Sequence, residues 1–268
     1  MRSWGALWRA GMGCALRNLL ANPCSARFRY AARLALCPVD FWRFFEFGEV
    51  LRAFPGEGPV LDIGSPKLLA RVLAARYGVH VRATDIVPSI IDECAVYQRG
   101  LGRGGIQACV ADATALEFDR DTFPFVYSVS VLEHIAGDGD SRAMGEIARV
   151  LRPGGVAVVT VPCVPRYDEL WLDRDPYGRQ AQDPAGRVFF SRYDPLVMLR
   201  LIIEPPLPYI PSCLVSQKAD CVAFLHDDIA AVAFIAANPG NGGSRPFQVS
   251  LCSGKRKLGQ YLGDFLFR

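Results

Sequence analysis

The chain has 268 residues, 51% of them hydrophobic and 21% charged, with a formal net charge of +3 at pH 7. That length can bury a substantial core as one large domain or one domain with appendages. It contains no run of about 18 uninterrupted apolar residues of the kind a membrane-spanning helix needs, and its scattered basic excess argues against a nucleic-acid partner, which asks for a clustered basic face. The nine cysteines are odd in number and dispersed, without a C-x-x-C pair. This spacing argues against a metal site or disulfide framework and for reduced, mostly packed thiols in a cytoplasmic protein.

From the amino terminus, Met1 to Leu20 carries Trp4, Leu7, Trp8, Met12, Leu16 and Leu19 at near-helical spacing, with Arg2, Arg9 and Arg17 among them. Arg9 interrupts the apolar core that a secretory signal requires. Two readings stand: a helix laid over the main domain or frayed from it, and an interfacial helix making peripheral contact with anionic membrane lipid through residues 1–20. Phe41 to Phe54 reads as an aromatic-rich helix, with Trp42, Phe44, Phe45, Glu46 and Phe47, ended by Pro55-Gly56.

From Pro59 to Val161, short β-branched runs alternate with helical ones. Strands are expected at Val60–Ile63, Val79–Thr84, Ile106–Val110, Phe125–Val129 and Val156–Val161. A helix bearing Leu68, Leu69, Val72 and Leu73 on one face separates the first two, and Ser141–Leu151 separates the last two. Arg152-Pro153-Gly154-Gly155 stops that helix. Strands alternating with helices imply a parallel sheet covered on both faces. Pro162 to Arg187 reads as a long functional loop, with Tyr167, Trp171, Arg174, Tyr177 and Arg179 placed to cover a polar or anionic small molecule, or as a solvated surface loop. A helix follows at Tyr193–Ile203, then two strands near Val215–Val222 and Ala230–Ala236. The division expected is an N-terminal helical extension over 1–55, a cofactor-binding domain over 56–240 and a tail over 241–268.

The stretch Val60-Leu-Asp62-Ile-Gly64-Ser65-Pro66 carries the chemistry. Asp62 ends a strand at the sheet's carboxyl edge, where open α/β sheets bind ligands. Gly64 allows a tight turn. Ser65 and Pro66 suit a helix opening as N-cap and first residue, whose amides can hold an anionic group. Lys67 reads as solvated. Asp85 falls 21 residues after Gly64 at the end of the second strand, where a carboxylate can accept hydrogen bonds from two vicinal ribose hydroxyls. A nucleoside-containing cofactor is therefore expected. The competing reading of Asp85 is a helix cap or a surface residue.

Further along come Ala111-Asp112-Ala113 after the third strand, the run Phe125-Val126-Tyr127-Ser128-Val129-Ser130-Val131-Leu132-Glu133-His134-Ile135, and Arg149-Val150-Leu151-Arg152-Pro153-Gly154-Gly155. With Val60–Gly64 and Asp85 these make five ordered pieces, and the segment from about Phe44 to Val161 resembles the class I S-adenosylmethionine-dependent methyltransferases. The resemblance implies a Rossmann-like α/β fold: a seven-stranded, mostly parallel sheet with helices on both faces, an antiparallel last strand, and the last two strands forming a hairpin. It implies S-adenosylmethionine as cofactor, held by Asp62, Gly64, Ser65, Asp85, Ile86, Asp112, Ala113 and Ser130, with Asp112 receiving the adenine amine and no metal. The first motif departs from the family pattern, with Pro66 and Leu68 where glycines are common.

Methyl transfer from a sulfonium asks the protein mainly to align the acceptor and exclude water. A base helps when the acceptor is a hydroxyl or an acidic carbon, and His134 is the candidate, with a packing role as the other reading. The expectation is a methyltransferase acting on a small-molecule acceptor. Its alternatives are a catalytically inactive relative kept for binding or assembly, a nicotinamide-dependent oxidoreductase, which the missing G-x-G-x-x-G pattern disfavours, and an enzyme held at a membrane with a lipid acceptor.

Overall fold

The computed structural model describes residues 2–21, 41–163, 167–173, 175, 180, 182–193, 213–217, 230–237 and 247–252. The expected helix at Tyr193–Ile203 lies outside them beyond Tyr193, as does the tail after Cys252. Two helices, α1 (Arg2–Ala21) and α2 (Phe41–Ala53), precede an alternating series: β1 (Val60–Ile63), α3 (Leu68–Tyr77), β2 (His80–Asp85), α4 (Pro88–Gln98), β3 (Gly105–Val110) and β4 (Phe123–Val129). A 3-10 turn, Leu132–His134, leads to α5 (Gly139–Val150) and β5 (Leu151–Cys163). Then follow β6 (Asp168–Leu172), β7 (Val188–Arg192), β8 (Cys213–Gln217), β9 (Ala230–Ala237) and β10 (Phe247–Cys252).

The main sheet runs β3-β2-β1-β4-β5-β9-β10-β8. Its first five strands are parallel, with Val60 beside Val81 on one side and Phe125 on the other. β9 runs antiparallel to β5, as expected of a late strand. The two strands expected near Val215–Val222 and Ala230–Ala236 do not pair with each other: β10 lies between β8 and β9, parallel to β8 and antiparallel to β9, so among the described residues eight strands join where seven were expected. The extra member is β10, in the stretch read as tail, whose Val249 and Leu251 alternate with polar residues as a strand requires. The stretch read as a long loop, Pro162 to Arg187, instead contains β6, whose antiparallel partner β7 begins just after it, with Asp168 opposite Arg192 and Leu172 opposite Val188. Among the described residues no helix is long and apolar enough to cross a membrane.

Chain connections leave β1 in one direction towards β2 and β3 and then return to β4 on its other side, so the order reverses between β1 and β4. Ligands of open α/β sheets bind in the crevice beyond the strand ends at such a reversal. The alternation of β1 decides what faces it. Val60 packs with α3, α4 and Phe125, while Leu61 and Ile63 join Val126, Met144 and Ile147 on the opposite face. Asp62 therefore shares the α3 side with Val60.

α3 forms because Leu68, Leu69, Val72 and Leu73 supply an apolar stripe, with Ala70 and Ala74 filling the rest of the buried surface. Gly78 ends it in a left-handed conformation (φ 69°), its N–H donating to Ala74 O at 3.0 Å. α5 buries Ala143, Met144, Ile147 and Val150, its periodic face. α1 buries Leu7, Cys14 and Ala15 in the same core as α3, which is the first of the two readings of this segment, and leaves Leu16 and Leu20 exposed. The thiols of Cys14 and Cys94 are buried, and Cys109 is exposed.

Candidate active site

The turn after β1 is fastened to the end of β2. The N–H of Gly64 donates to Thr84 O at 2.8 Å, and the Thr84 hydroxyl donates to Asp62 O at 2.9 Å. Gly64 has φ 64°, and a Cβ placed on it would come within 2.8 Å of Val131 Cγ1. Both the conformation and the space demand glycine here. Asp62 is fully buried and accepts the Ser65 N–H on Oδ1 at 3.0 Å. Burial pushes its carboxyl up, against the pull of Lys67 and the Ser65 hydrogen bonds. Asp62 thus shapes the turn from below.

Two expectations about this turn are corrected. Ser65 does not cap α3, whose first turn begins at Lys67. The Ser65 hydroxyl instead donates to Ile63 O (3.3 Å) and accepts the Val129 N–H (2.9 Å), tying β1 to β4 in a place closed to solvent. Lys67 is not solvated. Its Nζ donates to Thr84 O at 2.9 Å and to Asp62 Oδ2 at 3.4 Å, and lies 3.9 Å from Asp85 Oδ2. An ammonium leaves water only where such oxygens replace it.

Asp85 stands at the mouth of this cluster, half-buried, its Oδ1 accepting the Val87 N–H at 3.0 Å. Beside it Ile86 is 51% exposed, an apolar face uncovered in the crevice where a flat base can lie. Asp112 is exposed after β3, and both its hydrogen bonds, from the Thr114 N–H and hydroxyl at 2.8 Å, fall on Oδ1. Ala113, next to it, is half-buried. A glycine turn, an acid, an exposed apolar residue and a second acid follow one another along the ends of β1, β2 and β3. These donor and acceptor types fit a nucleoside carrying an amino acid. The site has no cradle of amides from successive glycines for a pyrophosphate.

At the ends of β4 and β5 the arrangement differs. Ser130 has φ 51°, a strained conformation for a serine. Its hydroxyl donates to Glu46 Oε1 at 2.5 Å, which also accepts from Thr160 Oγ1 at 2.7 Å, while Arg43 donates to Glu46 Oε2 at 2.9 Å. Helix α2 therefore docks through a buried carboxylate onto this end of the sheet. Side chains 42, 44 and 45 lie outside the described residues; Phe47 is core. Glu133 is buried too, and burial pushes its carboxyl up to about 8, with the Glu46 charge adding to the rise. Its Oε2 has no hydrogen-bond partner, as a carboxyl held neutral at pH 7 can tolerate.

His134 is fixed on both ring nitrogens. Since Phe189 O can only accept, Nδ1 carries the proton and donates at 3.2 Å; Nε2 then accepts from the Gln180 amide at 3.0 Å. Burial holds the imidazole down at about 4, although the Phe189 carbonyl pulls it up. A base is most effective with a pKa near the working pH, so His134 is a weak base here. The strand pair β6–β7 supplies Phe189 and Phe190 against it.

Of the expected site residues, Gly64 follows β1, Asp85 ends β2 with Ile86 after it, and Asp112 and Ala113 follow β3. Asp62, Ser65 and Ser130 spend their polar side-chain atoms on the protein itself. Sequence reasoning foresaw neither the tie of Lys67 to Asp62 and Thr84 nor that of Glu46 to Ser130 and Thr160. A charged residue inside an apolar helical face is the signal that marks Glu46.

Residues 61–159 match the methyltransferase domain family. That stretch spans the crevice from β1 to β5. Over 114 residues, 42% of this chain, the protein is 30% identical to the tRNA (carboxymethyluridine(34)-5-O)-methyltransferase ALKBH8 of Mus musculus. The match spans only 16% of that protein's length. Among solved structures, it is similar to a methyltransferase of Methanosarcina mazei, with 20% identity, 58% of this chain and 82% of that chain covered, and a TM-score of 0.48. It is also similar to a geranyl diphosphate methyltransferase in complex with S-adenosylmethionine, with 16% identity, coverage of 53% and 57%, and a TM-score of 0.42.

Proposed function

We propose that this protein transfers a methyl group from S-adenosylmethionine to a small-molecule acceptor by in-line displacement, with residues 1–55 as a helical extension, 56–240 as the catalytic domain and 241–268 as a tail. The observation that carries the reading is the alignment of Gly64, Asp85, Ile86 and Asp112 at the strand-order reversal of a methyltransferase domain. When bound, the cofactor supplies an activated methyl on a sulfonium. Asp85 accepts the ribose hydroxyls, Ile86 packs on the base, Asp112 accepts the adenine amine through Oδ2, and the backbone at Gly64 lies close to the amino-acid portion. Asp62, Ser65 and Ser130 shape these positions from behind.

Chemistry on the acceptor is then mainly positioning. The strand pair β6–β7 and the ends of β4 and β5 bound the acceptor side, with His134 held neutral as a weak proton acceptor there. Supporting a small acceptor is the composition: a net charge of +3 gives no concentrated basic face. The similarity to a tRNA methyltransferase favours a second reading, an RNA acceptor. A cytoplasmic location follows from the cysteine usage, and a peripheral membrane contact would rest on the exposed Leu16 and Leu20 of α1.

The test is titration of the purified protein with S-adenosylmethionine and its demethylated product, followed by transfer assays with radiolabelled methyl donor on small-metabolite and total-RNA pools. No cofactor binding at millimolar concentration would overturn the reading and favour an inactive relative. Label appearing only in RNA would replace the small acceptor by the nucleic acid. Unchanged liposome binding after deletion of residues 1–20 would remove the membrane contact.

A further inference from the structure

Lys67 lies between Pro66 and Leu68, the two positions where the resembled family commonly has glycine. Its side chain is 1% exposed, so its ammonium is held by protein oxygens rather than water. Those oxygens come from distinct parts of the fold: Asp62 on β1, and Thr84 O and Asp85 Oδ2 at the end of β2. Thr84 O also accepts the Gly64 N–H, so one carbonyl joins the turn and the lysine. Asp85 is consequently gripped from two directions, by the Val87 N–H on Oδ1 at 3.0 Å and by the charge of Lys67 at 3.9 Å from Oδ2.

A carboxylate that must accept two vicinal hydroxyls at once has a narrow range of useful orientations, since hydrogen bonds weaken steeply as they bend. Asp85 ends a strand and is followed by a turn, so its own backbone does not fix its side-chain torsion. The Val87 N–H constrains one oxygen and leaves rotation of the other to be settled by its surroundings. Lys67 brings its ammonium to 3.9 Å from that second oxygen, and its own position is fixed by Thr84 and Asp62.

We propose that Lys67 is a positioning residue for ribose recognition: from the turn after β1 it orients Asp85, so that selectivity for a cofactor bearing both ribose hydroxyls depends on a buried ammonium. This rests on the reading of Asp85 as the ribose acid. Lys67 thereby does part of the work that the missing glycines do by close backbone approach. A lysine that only neutralised Asp62 would affect folding, and would weaken every ligand of the crevice alike.

The test is calorimetric titration of the wild type, Lys67→Met and Lys67→Arg with S-adenosylhomocysteine and with its 2′-deoxyribose analogue. The wild type is expected to prefer the ribose form. Lys67→Met should lose on the order of tenfold in affinity for it, as for loss of a charge-assisted contact, while the 2′-deoxy form changes little and the preference collapses. Lys67→Arg should retain part of the preference. Equal weakening of both ligands, or no weakening, would overturn the proposal and leave the Asp85 assignment standing. A wild type that binds both forms equally would overturn that assignment, and this inference with it. Should Lys67→Met not fold, the wild type itself decides. With 15N-lysine labelling, the slowly exchanging ammonium signal of Lys67 should shift with the ribose ligand and not with the 2′-deoxy ligand; an equal response to both would overturn the proposal.

Discussion

The two ends of the crevice bury carboxyl groups in opposite ways. Beyond β1 and β2, the buried Asp62 and the half-buried Asp85 stand beside Lys67, a buried cation. Beyond β4 and β5, Glu46 has Ser130, Thr160 and Arg43 as donors, and Glu133 is left with an unpartnered oxygen and a carboxyl pushed up to about 8. The difference teaches how one crevice can divide its labour. Where a ligand's hydroxyls must be gripped, a charge is placed next to the acid. At the second end, the acceptor side of the proposed reaction, polar groups are satisfied or neutral, so that little would compete with the reacting atoms.

Removing the cation from the first end should have the largest consequence. Lys67→Met leaves Asp62 and Asp85 without their buried counter-charge, and breaking such a pair costs about 3–5 kcal/mol of stability. Urea denaturation measures it, and a loss below ~1 kcal/mol would show that the pairing is not what holds the turn to β2.

At the second end, the effect is in pH dependence. Glu133 binds its proton more tightly folded than unfolded, so its contribution to stability is complete below its ordinary value of 4.5 and is lost as pH rises to about 8. Glu133→Gln cannot ionise and should remove that decline. Denaturation midpoints of both proteins from pH 5 to pH 8.5 check this, and parallel curves would mean that Glu133 is already charged at neutral pH.

The smallest expected effect is at His134. Since burial holds its imidazole at about 4, kcat should show no ionisation near 6.5, and His134→Asn should leave the profile between pH 6 and pH 8 unchanged in shape. A break near 6.5 in the wild type that vanishes in the variant would restore the histidine as a titrating base.

The cofactor end was largely legible in the sequence, the acceptor end much less. Val60–Ile63 is the observed β1, and the other four parallel strands begin or end within a few residues of their expected bounds, because short runs carrying β-branched or aromatic residues between turn signals mark them. Asp85 was legible from spacing alone, since the length of a βαβ unit is set by geometry. Lys67 was not: a lysine at a helix start looks solvated, and only the distant Thr84 carbonyl and Asp85 carboxylate make its burial affordable. The pairing of β6 with β7 was hidden for the same kind of reason. Asp168 and Arg192, joined by an ion pair, lie on separate strands, and a stretch rich in charge and glycine hides its partnership until the partner is known.

The central claim is that Asp85 holds the ribose of S-adenosylmethionine in the crevice between β1 and β4. Calorimetric titration of the wild type and Asp85→Ala with S-adenosylhomocysteine tests it most directly. The account predicts saturable binding by the wild type and a loss of about 2–4 kcal/mol in the variant, the value of two charge-assisted hydrogen bonds. Equal affinity in the two proteins, with the variant folded, would contradict it.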